Sequence, residues 1–398
     1  MASSSLSLKL PDVSGALSSY SVRGNAQAQP PAGVRFDRIA YSAAHVVADP
    51  LAAVDPWLDA AIDWDATLRY RHRLWSLGLG VAEAMDTAQR GMGLDWPTSL
   101  ELIRRSLAEA RTVADAQVAS GCGTDHLVLA EVGSVDDVIA GYETQMAAIE
   151  ALGGQLIIMA SRALAAVARS PADYERVYDR ILSQARQPVI LHWLGEMFDP
   201  ALAGYWGSAD VDQAMETALG VIKAHPDKVD GIKISLLDKD KEIRMRRLLP
   251  PGVRMYTGDD FNYAELIEGD GHGTAPNHGR SDALLGIFDA IAPAASAALG
   301  ELAAGNNARF REILEPTVPL SRHIFQAPTR FYKTGVVFMA WLNGHQSHFT
   351  MIGGQQSTRS LPHLAELFRL ADAADLLEQP EQAVARMKTL LALHGVDG

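Results

Sequence analysis

At 398 residues, 48% of them hydrophobic and 21% charged, the chain has the apolar content for a large core and too much of it for a disordered segment. Its formal charge of −13, from 35 basic and 48 acidic side chains, is the opposite of the basic stripe that phosphate backbones require, so no nucleic-acid partner is expected. No apolar run reaches the roughly 18 residues of a membrane helix, the Ser-rich start lacks a basic segment followed by an apolar core, and the single Cys122 has no internal disulfide partner, which together point to a cytoplasmic protein without a membrane partner.

Residues 1–35 stand outside any repeat, and 27–33 (QAQPPAG) read as a linker or turn. From residue 36 on, short β-branched or apolar runs alternate with amphipathic stretches, the pattern of parallel strands joined by helical crossovers. Strands are predicted at 38–44, 78–84, 126–131, 155–159, 188–193, 231–235, 254–257 and 271–275, the eight that a closed barrel requires. Between them, Asp95 caps a helix with Pro97 in its first turn, Ser134 opens a second that closes at Gly153-Gly154, and Ser170-Pro171 opens a third. The basic run 239–247 (KDKEIRMRR), with Asp240 and Glu242 interleaved, reads as the solvated face of a helix. After Gly279 the strand signal fades: 281–305 read as an Ala-rich helix, followed by helices at 309–313, 334–343 and 361–377. The predicted fold is α/β, a (β/α)8 TIM barrel over 36–295 with a C-terminal helical layer over 296–398.

The chemistry-bearing segment is 229–260 (VDGIKISLLDKDKEIRMRRLLPPGVRMYTGDD). It holds Gly231-Ile-Lys233, Leu248-Leu-Pro250 and Gly258-Asp-Asp260, with Pro188-Val-Ile-Leu-His192 before it and Gly269-Asp-Gly271 after it. This ordered set resembles the dihydrodipicolinate synthase and N-acetylneuraminate lyase family. There a G-I-K segment lies on the sixth strand, G-x-D closes the seventh, and P-V-I-L-Y-N forms the fifth. The chain looks most like a divergent branch of that family, of the kind labelled as a domain of unknown function. The resemblance implies a class I aldolase-like barrel that forms a Schiff base at Lys233 and needs no metal or organic cofactor. It also implies a small-molecule substrate and assembly as a homo-oligomer, dimer or tetramer.

Two family hallmarks are replaced. Where the second strand normally ends in G-T-T-G-E, which holds the substrate carboxylate, this chain has Ala84-Met-Asp86-Thr87-Ala-Gln-Arg90-Gly91. Asp86 and Thr87 become substrate-binding candidates, with Arg90 as a substitute cation. Where the fourth strand normally ends in a tyrosine, the chain reads Met159-Ala160-Ser161-Arg162, which makes Ser161 and Arg162 candidates. Asn277 stands where the family often carries an asparagine.

The residues support the same chemistry on their own terms. An imine needs a neutral amine, and burial lowers a lysine pKa from its ordinary value of about 10.4. On a strand, Ile232 and Ile234 point to the helices and Lys233 points into the barrel. The bland alternative is a structural lysine paired with Glu131 or Asp259. His192, on the fifth strand, suits proton transfer; the alternative is a core histidine beside Trp193. Glu131, Asp86, Asp259 and Asp260 fall at strand ends, the catalytic face of such barrels.

Two rival functions stand beside a Schiff-base lyase, aldolase or dehydratase acting on a small 2-oxo acid or sugar-derived carbonyl compound. One is a metal-dependent carbohydrate isomerase or lyase, with a divalent cation held by Glu131, His192, Glu196 and His278. The other is a non-catalytic ligand-binding barrel. His345 and His348 read as structural or interfacial. No phosphate-binding glycine loop and no G-x-S-x-G nucleophile elbow occurs.

Overall fold

Short strands whose side chains alternate between two apolar layers organise the chain, which a computed structural model describes for residues 6–26, 30, 34–272 and 279–397. An N-terminal hairpin, β1 (Ser7–Pro11) and β2 (Leu17–Ser21), comes first, in a region where no strand is predicted. It packs on the C-terminal helix Leu361–Ala373, where the Tyr20 hydroxyl donates to Asp372 at 2.7 Å and Arg369 donates to the carbonyls of Leu10 and Pro11.

The barrel strands are β3 (Ala40–Ala43), β4 (Gly80–Glu83), β5 (Val118–Cys122), β6 (Gln155–Met159), β7 (Val189–Leu194), β8 (Val229–Ser235), β9 (Arg254–Thr257) and β10 (Asp282–Leu285). They pair in parallel, in chain order, and β10 closes on β3. Six match the predicted strands within a few residues, and two do not. Segment 126–131 is a loop with a short turn at Leu129–Glu131, and the third barrel strand is Val118–Cys122 instead. Its sequence, VASGC, hides from a pattern search because its inward positions, Ala119 and Gly121, are small. The eighth strand is Asp282–Leu285 rather than 271–275, of which 273–275 lie outside the described residues. It leads through Gly286 into the helices Ile287–Ala290 and Ala292–Ala303, so the strand and its helices read as one Ala-rich run.

All three predicted helix starts form, two of them with a side-chain cap, while Ser170 heads the third without one. Asp95 accepts from the Thr98 amide, and Ser134 and Asp137 make a capping box. Tyr41 and Tyr256 fill the barrel interior together with Ile157, Ile190 and Leu284. Tyr256 lies over Gly231, where a Cβ would stand 2.7 Å from its ring, and its hydroxyl donates to Asp230 at 2.6 Å. Lys233 therefore has a packed layer beneath it.

The helix Lys239–Leu248 is not wholly the solvated face that its charge suggests, since Glu242 and Arg246 are buried in it. Thr257 and Ser281 hydroxyls donate to the two Glu242 oxygens at 2.9 and 2.7 Å, and burial pushes its carboxyl up to about 8. The folded protein keeps a proton that the unfolded chain releases near 4.5, so this contribution to stability is full below that pH and is lost as pH rises toward 8. Glu242→Gln is expected to remove about 1.4 kcal/mol per pH unit of the decline across that window. Denaturant unfolding at several pH values between 5 and 8 measures it, and an unchanged slope would assign the effect elsewhere.

Candidate active site

Alternation on β8 turns Gly231, Lys233 and Ser235 inward, while Ile232 and Ile234 join the apolar layer beneath the helices. Lys233 is 5% exposed, and no carboxylate of the described residues lies within ion-pair distance of its amine. Burial lowers its pKa, against the pull of Asp86 and Asp260. The expected partners Glu131 and Asp259 do not hold it.

The position of Lys233 depends on Gly258, just past β9. A Cβ there would stand 2.7 Å from the Lys233 Cε and 2.3 Å from the Ser235 Oγ. Gly258→Ala should push both side chains aside, slowing imine trapping at least tenfold and lowering stability by about 1–3 kcal/mol. Trapping kinetics and an unfolding curve read the two effects, and wild-type trapping would show that the lysine does not need this close fit.

His192 on β7 pairs in register with Lys233, is 2% exposed, and has its Nε2 3.3 Å from the Ser235 Oγ. Burial and the Lys233 charge hold its pKa well below 6.5, so it is a neutral proton acceptor at physiological pH. The third member is Asp86, in the turn after β4. The Tyr332 hydroxyl donates to Asp86 Oδ2 at 2.8 Å and lies 2.7 Å from the Thr87 Oγ1. Burial alone would raise the Asp86 pKa, but Lys333, Lys233, His192 and the Tyr332 hydrogen bond bring it below the ordinary value.

Tyr332 and Lys333 open the helix Tyr332–Leu342 of the C-terminal layer, and the sequence reading passed over both. Lys333 is buried, its amine lies 3.3 Å from the Arg330 carbonyl and 3.3 Å from the Met92 sulfur, and burial lowers its pKa. A polar pair heading an otherwise buried apolar helix was the available signal. Thr87 reaches the site through Tyr332.

Of the two aspartates after β9, the expected one is the structural one. Asp259 accepts from the amides of Phe261 and Asn262 and from the Asn262 side chain, which fixes the turn. Asp260, second to Asp86, raises the Lys233 pKa through its charge. The Ile287 amide donates to Asp260 at 3.0 Å, and burial pushes its carboxyl up to about 8.

A cavity of about 290 Å³ opens at this mouth. Asp86, His192, Ser161, Arg162 and Thr124 are among its polar lining residues and Leu194 among its apolar ones, while Lys233 itself is not part of the lining. The Ser161 Oγ caps the following helix and lies 2.6 Å from the Thr124 Oγ1. Arg162 gives its Nε to Asp199, and its two terminal nitrogens make no hydrogen bond among the described residues.

The remaining expectations resolve differently. Arg90 lines the cavity, with its guanidinium taken by Asp125, Gln145 and the Gly121 carbonyl. Glu131 sits on an exposed surface turn and Glu196 on an exposed loop, away from each other and from His192, because the predicted third strand is a loop. Among the described residues no three His, Cys, Asp or Glu side chains gather at metal-binding distance. Asn277 and His278 lie outside the described residues. His345 Nε2 pairs with Glu378 at 2.8 Å, away from the mouth.

With this geometry in hand, comparison with known proteins is informative. The family described as "Protein of unknown function (DUF993)" matches residues 8–396. No curated protein matches the chain. Dihydrodipicolinate synthase from Thermotoga maritima superposes with a TM-score of 0.61 at 15% identity, covering 86% of this chain and 100% of that one. A prophage protein of the dihydrodipicolinic acid synthase family from E. coli K12, solved in complex with pyruvate, gives 0.59 at 13% identity, covering 90% and 99%. Dihydrodipicolinate synthase from Aquifex aeolicus gives 0.58 at 11%, covering 90% and 99%. At these identities the likeness establishes the fold, that of the dihydrodipicolinate synthase structures. No helix of the described residues is long and apolar enough to cross a membrane.

Proposed function

The chain belongs to the DUF993 family, and from its barrel and the groups at the barrel mouth we propose that it is a class I lyase or aldolase, or a related dehydratase, acting through an imine on Lys233. The carbonyl compound is small, a 2-oxo acid or a sugar derivative. The observation that carries the reading is a lysine held inside a barrel with no carboxylate partner among the described residues, in register with a neutral histidine.

The neutral Lys233 amine attacks the carbonyl carbon, and loss of water leaves an iminium. In C–C cleavage the iminium takes up the electron pair of the breaking bond while His192 takes the proton of the β-hydroxyl, and His192 then returns that proton to the enamine carbon. In a dehydration His192 takes the α-proton, the C–H pair forms the enamine, and the β-hydroxyl leaves as water with its C–O pair and that proton. Water then hydrolyses the imine and frees Lys233. Asp86, fixed by Tyr332, stands where it stabilises the iminium charge. Ser161 and Arg162 orient the distal part of the substrate. Lysine itself provides the electron sink, so the route calls for no metal or organic cofactor. Association into a dimer or tetramer belongs to the same reading, and light scattering measures it.

Borohydride reduction in the presence of 2-oxo acids and keto-sugars, followed by peptide mass analysis, tests the chemistry. A reduced adduct confined to Lys233 supports it. A folded protein that yields no adduct across the panel refutes it.

A further inference from the structure

The carboxylate of Asp86 has one oxygen engaged and one open. Oδ2 takes the Tyr332 hydroxyl, whereas Oδ1 accepts no hydrogen bond from the described residues, and the side chain forms part of the cavity wall beside His192. At this strand end the amides of Asp86 and Thr87 make no hydrogen bond among the described residues. The Thr87 hydroxyl is engaged with Tyr332, and the amides of Ala88 and Gln89 bond within the turn to the carbonyls of Met85 and Asp86. Lys333, which carries charge near Asp86, is held at the Arg330 carbonyl, and the cations that line the cavity are Arg90 and Arg162. A ligand group that reaches Asp86 Oδ1 meets an anionic acceptor.

A ligand carboxylate placed there would face a like charge, and its own oxygens cannot donate. A hydroxyl donates to Oδ1 and gains a charge-assisted hydrogen bond. Asp86 and His192 line the cavity, His192 stands in register with Lys233, and the Asp86 charge acts on the Lys233 amine, so Asp86 is placed to meet a group beside a carbonyl held at Lys233.

We propose that the compound bound at Lys233 is a hydroxylated ketone or aldehyde, with a hydroxyl next to the carbonyl donating to Asp86, and is not a 2-oxo acid. This deepens the imine reading of Lys233 and rests on it. The group beside the carbonyl is selected by the charge of Asp86, so removing that charge while keeping its shape reverses the selection.

The test is borohydride trapping of the full-length protein and of Asp86→Asn with dihydroxyacetone, erythrulose, pyruvate and 2-oxobutyrate. Rates are normalised to those of Nα-acetyl-lysine to remove intrinsic carbonyl reactivity. The expected result is that wild type favours the hydroxyketones at least tenfold, and that the variant narrows or inverts the ratio by a similar factor. Equal or faster trapping of the 2-oxo acids by wild type, with adducts on Lys233, overturns this proposal and leaves the imine reading intact. A folded wild type that forms no adduct with any of the four, or with wider carbonyl panels, overturns both. The wild-type ratio alone decides the matter if the variant does not fold.

Discussion

Lys233→Met is expected to abolish the borohydride-trapped adduct, lower turnover at least about 10⁴-fold, and make the protein more stable. The loss follows because no other amine occupies the position in register with His192, and Lys333 is held elsewhere by the Arg330 carbonyl. The gain follows from desolvation, since a lysine kept inside an apolar barrel is costly to bury and methionine fills a similar volume without charge. Asp86 and Asp260 do not cancel that gain. Asp86 keeps Lys333 as a countercharge, and Asp260, pushed up to about 8, is largely protonated at neutral pH. A rise of about 1–2 kcal/mol in unfolding free energy is the expected size, of the kind seen when a functional strain is relieved. Denaturant melts and intact mass after reduction measure the two effects. A variant that still turns over would end the imine mechanism, and one that is destabilised would mean that the lysine holds the barrel together.

His192→Asn separates proton transfer from imine formation. The adduct on Lys233 should still form, while kcat falls by about 10²–10⁴-fold, the range of a positioned acid–base group. The pH profile carries the sign. His192 titrates well below 6.5, so wild-type activity should hold as pH falls through 6.5 and decline only at lower pH, when the ring takes up a proton. In the variant that acidic limb should disappear. If kcat is unchanged and the limb persists, His192 is a core histidine, and the proton is moved by another group, with Asp260 and Tyr332 the next to examine.

These expectations also mark how much the sequence disclosed. Lys233 and His192 were legible because strand alternation is a local rule: two flanking isoleucines turn the lysine inward, and a P-V-I-L run sets the histidine on the neighbouring strand. Strands 155–159 and 254–257 were legible for the same reason, being short runs of branched or apolar residues bounded by polar junctions. The third and eighth strands were not. VASGC is short of bulk because a narrow barrel interior leaves no room at Ala119 and Gly121, and DALL runs straight into apolar helices. Reading 126–131 as a strand carried Glu131 into the site with it, and the fold returns that residue to the surface.

Local periodicity thus decided the barrel, the inward lysine and its histidine neighbour, because each depends on residues within one strand. The environment that tunes them was decided by tertiary structure. Tyr332 reaches Asp86 across 246 positions of sequence because the C-terminal layer folds back over the barrel mouth. The charge of Asp260 rather than Asp259 acts on Lys233, and backbone amides take the Asp259 carboxylate to fix a turn. Charge and desolvation act through space, so the surroundings of Lys233 could be recognised only once the strands had closed and the last helices had packed across them.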